Sequence, residues 1–382
     1  MLFLIVSFLA AFVVTLLVVR SSAHHAHLSG DTDKDQPQKF HARVVPRVGG
    51  IGILVGVLCG TLLAIGRGVD EWPLLAVLVG CSLVAFGAGL IEDFTKRVTP
   101  KQRLLATIAA AALAVWLADA IISRTGIPGV DSLMLIAGFP MALTLLAVAG
   151  VANSVNIIDG FNGLASMCVA IMFAALAYVA FQVGDQVIMV AALIGLGAVM
   201  GFFVWNYPLG LIFLGDGGAY FLGFWVAELG ILLVHRNPEV SPVFPLLLCA
   251  YPIFETLFTM YRRRVVRGRP VGLPDATHLH SLIYRRLMRW AIGKRDAANM
   301  LRRNSMTSPY LWALCSLSVA PAVLWWDEGR VLSIWLLMFC GLYLVLYRAI
   351  VHFRTPRFLV RKADHWAAPA ADHRAAPRRR RP

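Results

Sequence analysis

Residues 153 to 165 read NSVNIIDGFNGLA, a polar stretch with three Asn, one Asp and two Gly. Long apolar runs lie on both sides of it, at roughly 133–151 and 164–183. A run of about 20 apolar residues is what a helix needs to cross a bilayer. Placing an unpaired polar side chain in lipid is energetically unfavourable, so polar residues next to membrane spans usually have a structural or functional role. The stretch is therefore predicted to be a polar turn between two membrane helices.

The composition extends this prediction to the whole chain. The 382 residues are 59% hydrophobic and 15% charged, with a mean hydropathy of +0.72, whereas soluble domains are about 45–50% apolar and about 25% charged. We predict an all-α polytopic membrane protein with about eleven transmembrane helices, in which 1–350 form one catalytic domain, loop 262–309 included, and 351–382 form a basic, disordered cytoplasmic tail. The predicted spans are 1–19, 48–66, 72–91, 104–122, 133–151, 164–183, 186–205, 217–235, 243–261, 310–326 and 331–350.

The distribution of basic residues predicts the orientation. If the N-terminus lies outside, all but four of the 35 Lys and Arg residues fall in segments on the inner side. The positive-inside rule therefore predicts an outside N-terminus and a cytoplasmic C-terminus. The net charge of +14 then follows from topology and requires no nucleic acid. The six Cys residues lie within predicted spans without CxxC spacing, which is typical of small core residues rather than of a disulfide or zinc site.

Five polar motifs fall on the predicted cytoplasmic side. They are PRVGG (46–50), GLIEDFTKRVTPKQRL (89–104), NSVNIIDGFNGLA (153–165), FLGDGGAYF (213–221) and GLPDATHLHSLIYRR (272–286). The short outer loops carry nothing equivalent. A purely structural origin would scatter such motifs over both faces, so their convergence predicts a functional site.

Each acidic motif has an ordinary structural explanation when it is taken alone. Glu92 and Asp93 lie four and three residues before Lys96, the spacing of a surface ion pair on a helix. Asp216 lies between two glycines at the start of a predicted span, where it suits a plain helix N-cap. For each motif in isolation these explanations remain open.

The amide and histidine motifs have similar alternatives. Asn153, Asn156 and Asp159 recur every three residues, which places them on one face of a helix. Capping of the helix end would explain one of these three residues rather than all of them. His278 and His280 lie in an Arg-rich loop, where a pair of histidines is commonly just solvated.

Together, the motifs share one chemistry. The carboxylates are those of Glu92, Asp93, Asp159 and Asp216. Oxygen ligands of this kind suit Mg²⁺, the cations Lys96, Lys101 and Arg103 suit phosphate groups, and amides suit a nucleobase or a sugar. The combination predicts phosphoryl transfer between a soluble nucleotide and a lipid. The main alternative is a secondary transporter or lipid flippase, whose polar sites lie nearer the bilayer midplane; a catalytically inactive scaffold is a third.

The motifs EDFTK, NSVNIIDGFNGLA, LGDGGA and PDATHLH, in this order and on this side, resemble the polyprenyl-phosphate N-acetylhexosamine-1-phosphate transferases over about 46–286. That family transfers a sugar 1-phosphate from a UDP-sugar to undecaprenyl phosphate and releases UMP. The resemblance implies Mg²⁺, or Mn²⁺, as cofactor, and a UDP-N-acetylhexosamine, undecaprenyl phosphate and membrane lipids as partners. It implies a bacterial inner-membrane protein with its active site facing the cytoplasm, and leaves a homodimer open.

The resemblance also implies roles for individual residues. Glu92, Asp93 and Asp159 are expected to be catalytic, with the acidic pair acting on the lipid phosphate, and Asp216 is the expected metal ligand. The expected substrate-binding residues are Lys96, Lys101, Asn153, Asn156, Asn162, His278 and His280.

Three positions depart from the usual pattern of the family. Glu92 stands where the family usually has Asp, Asn162 replaces an Asp, and Ser281 stands where a further His is common. The loop THLHSLIYRR resembles that of the GlcNAc-1-phosphate transferases more than the consecutive histidines of the phospho-MurNAc-pentapeptide enzymes. We therefore predict a UDP-GlcNAc-like donor that starts O-antigen or another surface glycan.

Overall fold

The apolar runs fold into a helical bundle. The computed structural model describes residues 1–29, 45–268, 277–292 and 297–352. Its helices are α1 (Leu2–Ser29), α2 (Gly50–Gly66), α3 (Trp72–Thr95), α4 (Pro100–Ala118), α5 (Pro128–Leu133), α6 (Phe139–Ile158), α7 (Leu164–Gln182), α8 (Gln186–Asn206), α9 (Gly215–Arg236), α10 (Val243–Leu248), α11 (Ala250–Tyr261), α12 (Leu279–Leu282), α13 (Arg289–Ile292), α14 (Ala297–Leu324) and α15 (Gly329–Val351). Two segments, Arg262–Val266 and Ile283–Met288, are π-helical.

The helix lengths confirm the predicted class. Within the described ranges, nine helices are long and apolar enough to cross a membrane, namely α1, α3, α4, α6, α7, α8, α9, α14 and α15. Helix α2 is apolar but has only 17 residues. The protein is thus an all-α polytopic membrane protein, and the count of eleven spans and the orientation stay predictions.

The run 243–261, predicted as one span, is divided into α10 and α11 at Cys249. Pro252 lies in the first turn of α11. Because proline has no N–H and its ring crowds the carbonyl four residues earlier, a continuous helix through Leu248 and Pro252 is disfavoured. The break therefore follows from a proline that the hydropathy pattern alone does not register.

Helix α9 is the centre of the bundle. Every residue from Gly215 to Val234 is buried, and α3 and α6 pack against it. The contact with α3 is close, because a Cβ atom at Gly89 would lie 2.5 Å from the backbone nitrogen of Gly217. Glycine at this position therefore allows the C-terminal end of α3 to approach the N-terminal end of α9.

The bundle brings the predicted motifs to one end. The ends of α3 and α6 and the starts of α4 and α9 meet there through the contacts given below. Two predictions concern residues outside the described ranges: the disordered tail, of which 353–382 lie outside, and the Pro-Asp part of PDATHLH, which belongs to 269–276.

Candidate active site

Asp93, in the last turn of α3, caps the N-terminus of α9. Its Oδ1 accepts a hydrogen bond from the backbone N–H of Asp216 at 2.9 Å, and its Oδ2 accepts one from Gly217 at 2.9 Å. The side chain is almost fully buried, with 1% of its surface exposed. The first N–H groups of a helix have no partner within the helix, and an anion there is favoured by the helix dipole. Asp93 thereby fixes where Asp216 stands.

The backbone just before Asp216 requires a glycine. Gly215 has φ +76°, a left-handed conformation that glycine adopts without steric penalty. A Cβ atom at Gly215 would collide with the Arg47 carbonyl and with the Asp93 carboxylate. The GDG sequence therefore lets three segments, before α2, at the end of α3 and at the start of α9, meet at one point.

The Asp216 carboxylate is held from two sides. Its Oδ2 is paired with the Arg103 guanidinium of α4, and its Oδ1 accepts a hydrogen bond from the Asn156 amide of α6 at 2.8 Å. The residue is buried, with 8% exposed. Asp216, the expected metal ligand, is thus in direct contact with Arg103 and with an amide of the Asn/Asp motif.

The helix face of the Asn/Asp motif points at α9. Asn153 accepts a hydrogen bond from the Tyr220 hydroxyl at 3.2 Å, and the Arg103 guanidinium lies over the Tyr220 ring at 5.8 Å from its centroid. Together with the bond from Asn156 to Asp216, this confirms that the three-residue spacing places both amides on one face. Tyr220 is a further residue of the site.

Asp159 ends α6 and completes the group of carboxylates. Burial raises the pKa of Asp159 from the ordinary 3.8 to about 7, with Arg47 lowering it and the charges of Asp216 and Asp93 raising it further. The Asp159 carboxylate therefore interacts electrostatically with Arg47, Asp216 and Asp93, which lie around the start of α9. Three carboxylates and the Arg47 and Arg103 guanidiniums lie close together at this end of the bundle.

The loop from α3 to α4 forms the rim of this site. Glu92 Oε2 accepts a hydrogen bond from the Val98 N–H at 2.7 Å. One oxygen of the Glu92 carboxylate therefore stabilises the loop that follows α3. Thr99 and Gln102 form a capping box that begins α4. Lys96 and Lys101 are both exposed. The two lysines therefore lie on the outside of this loop.

The histidine motif packs onto the Asn/Asp motif. The His278 and His280 rings stack at 5.1 Å between centroids with 13° between their planes. The His280 ring meets the Phe161 ring edge-on at 5.4 Å, and a Cβ atom at Gly160 would lie 3.2 Å from His280 Nε2. Two motifs that are far apart in sequence therefore share one surface beside Asp159.

Asn162 has its contacts away from the carboxylates. Its amide Nδ2 donates to the Pro208 carbonyl at 3.0 Å, and its backbone bonds to Asn304 and Ser308 of α14. The side chain is 1% exposed. An ionised carboxylate at this position could not donate to the Pro208 carbonyl, so the amide suits this environment. The contacts give Asn162 a packing role and lend no support to its expected contact with substrate.

Two residues in contact with the predicted site were not identified from the sequence. Glu255 of α11 is fully buried and bonds to His278, and Tyr343 of α15 bonds to Glu255. An acidic residue within an apolar run was the available signal for Glu255. Arg47, within the noted PRVGG motif, was likewise not assigned a role.

No group of three or more His, Cys, Asp or Glu side chains within the described ranges is arranged to hold a metal ion. The donor set nevertheless fits Mg²⁺, which takes oxygen ligands and is commonly bound by one or two carboxylates together with substrate phosphates. Asp216 and the nearby Asp159 supply such oxygens. Asp216 and Asp159 would hold the cation, which would neutralise the charge of a bound diphosphate.

Comparison with known proteins identifies the class. The model of glycosyl transferase family 4 matches residues 75–234, which contain Glu92, Asp93, Asp159 and Asp216. Over these residues the chain matches this family.

Named relatives cover more of the chain. The chain is 26% identical over 350 residues to a probable undecaprenyl-phosphate N-acetylglucosaminyl 1-phosphate transferase of Bacillus subtilis, covering 91% of each protein. It is 27% identical over 288 residues to the undecaprenyl-phosphate alpha-N-acetylglucosaminyl 1-phosphate transferase of Escherichia coli K12, covering 72% of this chain and 75% of that one. A phospho-N-acetylmuramoyl-pentapeptide-transferase of Geobacillus is 32% identical over 215 residues, covering 53% of this chain and 66% of that one.

Proposed function

We propose that this protein transfers an N-acetylhexosamine 1-phosphate from a UDP-sugar to undecaprenyl phosphate and releases UMP, at the cytoplasmic face of the bacterial inner membrane. The observation that carries this proposal is the meeting of three carboxylates and two guanidiniums at one end of the helix bundle, at Asp93, Asp159, Asp216, Arg47 and Arg103. Such a set of charges suits a diphosphate and its counter-ion.

The reaction is an in-line displacement. An oxygen of the lipid phosphate forms a bond to the phosphorus that carries the sugar, and the bond from that phosphorus to the bridging oxygen breaks. UMP leaves with the bridging oxygen and its electron pair. The lipid phosphate is itself the nucleophile, so no covalent sugar-phosphate on the enzyme is required.

The side chains divide the work by charge and position. Arg103 and Arg47 offset the negative charge of the phosphates, and Lys96 and Lys101 attract the nucleotide from solvent. Asn156 keeps Asp216 in place. Mg²⁺, when bound at Asp216, supplies charge neutralisation for the diphosphate.

The donor is proposed to be compact. His278 and His280 form a surface beside Asp159 that suits a UDP-N-acetylhexosamine, and arginine-rich segments bind phosphate in a bidentate way. The names of the relatives from Bacillus subtilis and Escherichia coli, both N-acetylglucosaminyl 1-phosphate transferases, support UDP-GlcNAc as the donor. The product is proposed to start a surface glycan such as O-antigen.

The rival function, a transporter or flippase, finds some support in Glu228. This carboxylate lies midway along α9, 1% exposed and with neither oxygen hydrogen-bonded within the described ranges. Transporter sites lie near the bilayer midplane, but Glu228 stands without the cluster of polar partners found at the end of the bundle. One assay decides between the two functions.

The assay uses purified protein in detergent with Mg²⁺, undecaprenyl phosphate and a panel of UDP-sugars that includes UDP-GlcNAc and UDP-MurNAc-pentapeptide. We expect UMP release with UDP-GlcNAc or a modified N-acetylhexosamine, and none with Asp216→Asn. Release from UDP-MurNAc-pentapeptide alone would refute the donor, and no release from any donor would refute the transferase.

A further inference from the structure

Glu255 makes contacts with two separate parts of the chain. Its Oε1 lies 3.0 Å from His278 Nδ1, within hydrogen-bond distance, and accepts a hydrogen bond from the Leu279 N–H at 3.2 Å. Its Oε2 accepts one from the Tyr343 hydroxyl of α15 at 2.7 Å. Glu255 is fully buried and Tyr343 is too. A carboxylate in α11 is therefore bonded both to the histidine motif and to the last helix.

We propose that Glu255 is a positioning residue that fixes the ring orientation and the tautomer of His278, and that Tyr343 holds Glu255 in place. An ionised carboxylate can only accept, so the proton must be on Nδ1 of His278. The other ring nitrogen, Nε2, is then set to meet a ligand. The inference rests on the proposed function, in which His278 contacts the UDP-sugar.

The orientation of His278 matters beyond its own ring. His278 stacks on His280, and His280 packs on Phe161 and beside Gly160, next to Asp159. A His278 ring turned out of its present plane could not keep a stack with 13° between the planes. Glu255 therefore acts on the shared surface of the two motifs through His278.

Stability alone is a weak reason for this arrangement. Removing charged groups from water costs several kcal/mol each, and a buried pair is often replaced by apolar residues without loss. Here the ring is held by a hydrogen bond on Nδ1, shared with the Thr259 hydroxyl at 3.2 Å. Histidines that act on ligands are commonly oriented in this way by a carboxylate behind the ring.

The first test is a double-mutant cycle on the rate of UMP release. We expect Glu255→Gln to lower kcat by about 10- to 100-fold, the usual effect of removing an orienting partner. In a His278→Ala background the same change should cost nothing further, because it acts through the histidine. A double mutant whose loss of kcat equals the product of the two single losses would overturn the proposal, since it would mean that Glu255 acts independently of His278.

The second test removes only the hydroxyl that holds Glu255. Tyr343→Phe should lower kcat by about fivefold, as the loss of one hydrogen bond to a charged group does, and it too should have no effect on top of His278→Ala. Tyr251→Phe is the matched control: it is equally buried in α11 and its hydroxyl has no hydrogen-bond partner within the described ranges. Equal losses in both variants would contradict the role of Tyr343. Tyr343→Phe also carries the cycle if Glu255→Gln does not fold.

A third measurement does not depend on activity. In protein labelled with ¹⁵N at histidine and placed in lipid, the signal that disappears in His278→Ala should report a proton on Nδ1. Glu255→Gln should shift that signal, and Tyr251→Phe should not. An unshifted signal would overturn the positioning role whatever the reaction. If wild-type protein releases no UMP, the proposed function is refuted, whereas this spectrum still shows whether Glu255 sets the tautomer of His278.

Discussion

The two ends of the bundle treat their charges differently. At the end predicted to lie outside, Arg236 donates to both oxygens of Glu71 at 2.8 and 2.9 Å and to Asp185 at 2.9 Å. Arg236 also holds the pKa of Glu71 below its usual range. Nearby, one nitrogen of Arg124 donates to three backbone carbonyls. Charges are satisfied there by hydrogen bonds that join helix ends.

At the site end the balance is less complete. Arg103 pairs with Asp216, and Asp93 is used by backbone amides. Asp159 has no hydrogen bond to its carboxylate within the described ranges, and its pKa is raised to about 7. Groups with perturbed pKa values and incomplete partners are typical of functional sites. We infer from this difference that the network around Arg236 and Arg124 stabilises the fold. The carboxylates at the site end, by contrast, keep unused hydrogen-bonding capacity that a ligand could satisfy.

The test with the largest expected effect replaces one buried Asp by Asn at each end of the bundle. Asp216→Asn should lower UMP release by at least about 1,000-fold, because a neutral amide lacks the negative charge that attracts a cation and that forms the ion pair with Arg103. Asp185→Asn, at the outer end, should keep kcat within about twofold, since its partners join helices. Removing divalent cations with EDTA should reproduce the first loss. Comparable kcat losses in the two variants would break the distinction between the ends.

The second test is the acidic pair. Asp93→Asn should lower kcat by about 100-fold, since an amide can accept only one of the two hydrogen bonds from the start of α9 and Asp216 would move. Glu92→Asp should keep measurable activity, because the length of the arm already differs from the family pattern there. Rates for Asp93→Asn near those of wild type would mean that the cap does not position the site.

Much of this was predictable from the sequence. Hydropathy runs predicted the helical membrane class because lipid allows few alternatives, and the spacing of Asn153 and Asn156 predicted their shared face. The bond from Tyr343 to Glu255 was not predictable, because 88 residues separate them and no local pattern indicates such pairs. The cap made by Asp93 joins a side chain to backbone amides 123 and 124 residues away. Such contacts are set by tertiary packing.

The third test addresses the outer network. Arg236→Gln should lower the melting temperature by about 5 °C, because the carboxylate of Asp185 loses its charged partner while buried. The kcat for UMP release should change by less than about twofold. Arg330→Gln is the control, since Arg330 is an exposed residue of the same side. A large fall in kcat with unchanged melting would give the outer end a role in the reaction.

The smallest effect concerns the charge of Asp159, measured by thermal unfolding in EDTA without nucleotide. Its folded-state pKa of about 7 lies above the ordinary 3.8, so the folded protein binds the proton more tightly than the unfolded chain does. The stability that this group contributes is therefore lost progressively as the pH rises from about 3.8 to about 7, and the loss is complete above pH 7. Asp159→Asn should therefore raise the melting temperature by about 2 °C at pH 8. At pH 5 the folded carboxyl is protonated but the unfolded one is ionised, so the difference should be less than half as large as at pH 8, and it should vanish only below about pH 3.8. Asp70→Asn, an exposed control, should show no such dependence. If Asp159→Asn is less stable than wild type at pH 8, the Asp159 charge is stabilised by partners, as the charges of Glu71 and Asp185 are by Arg236.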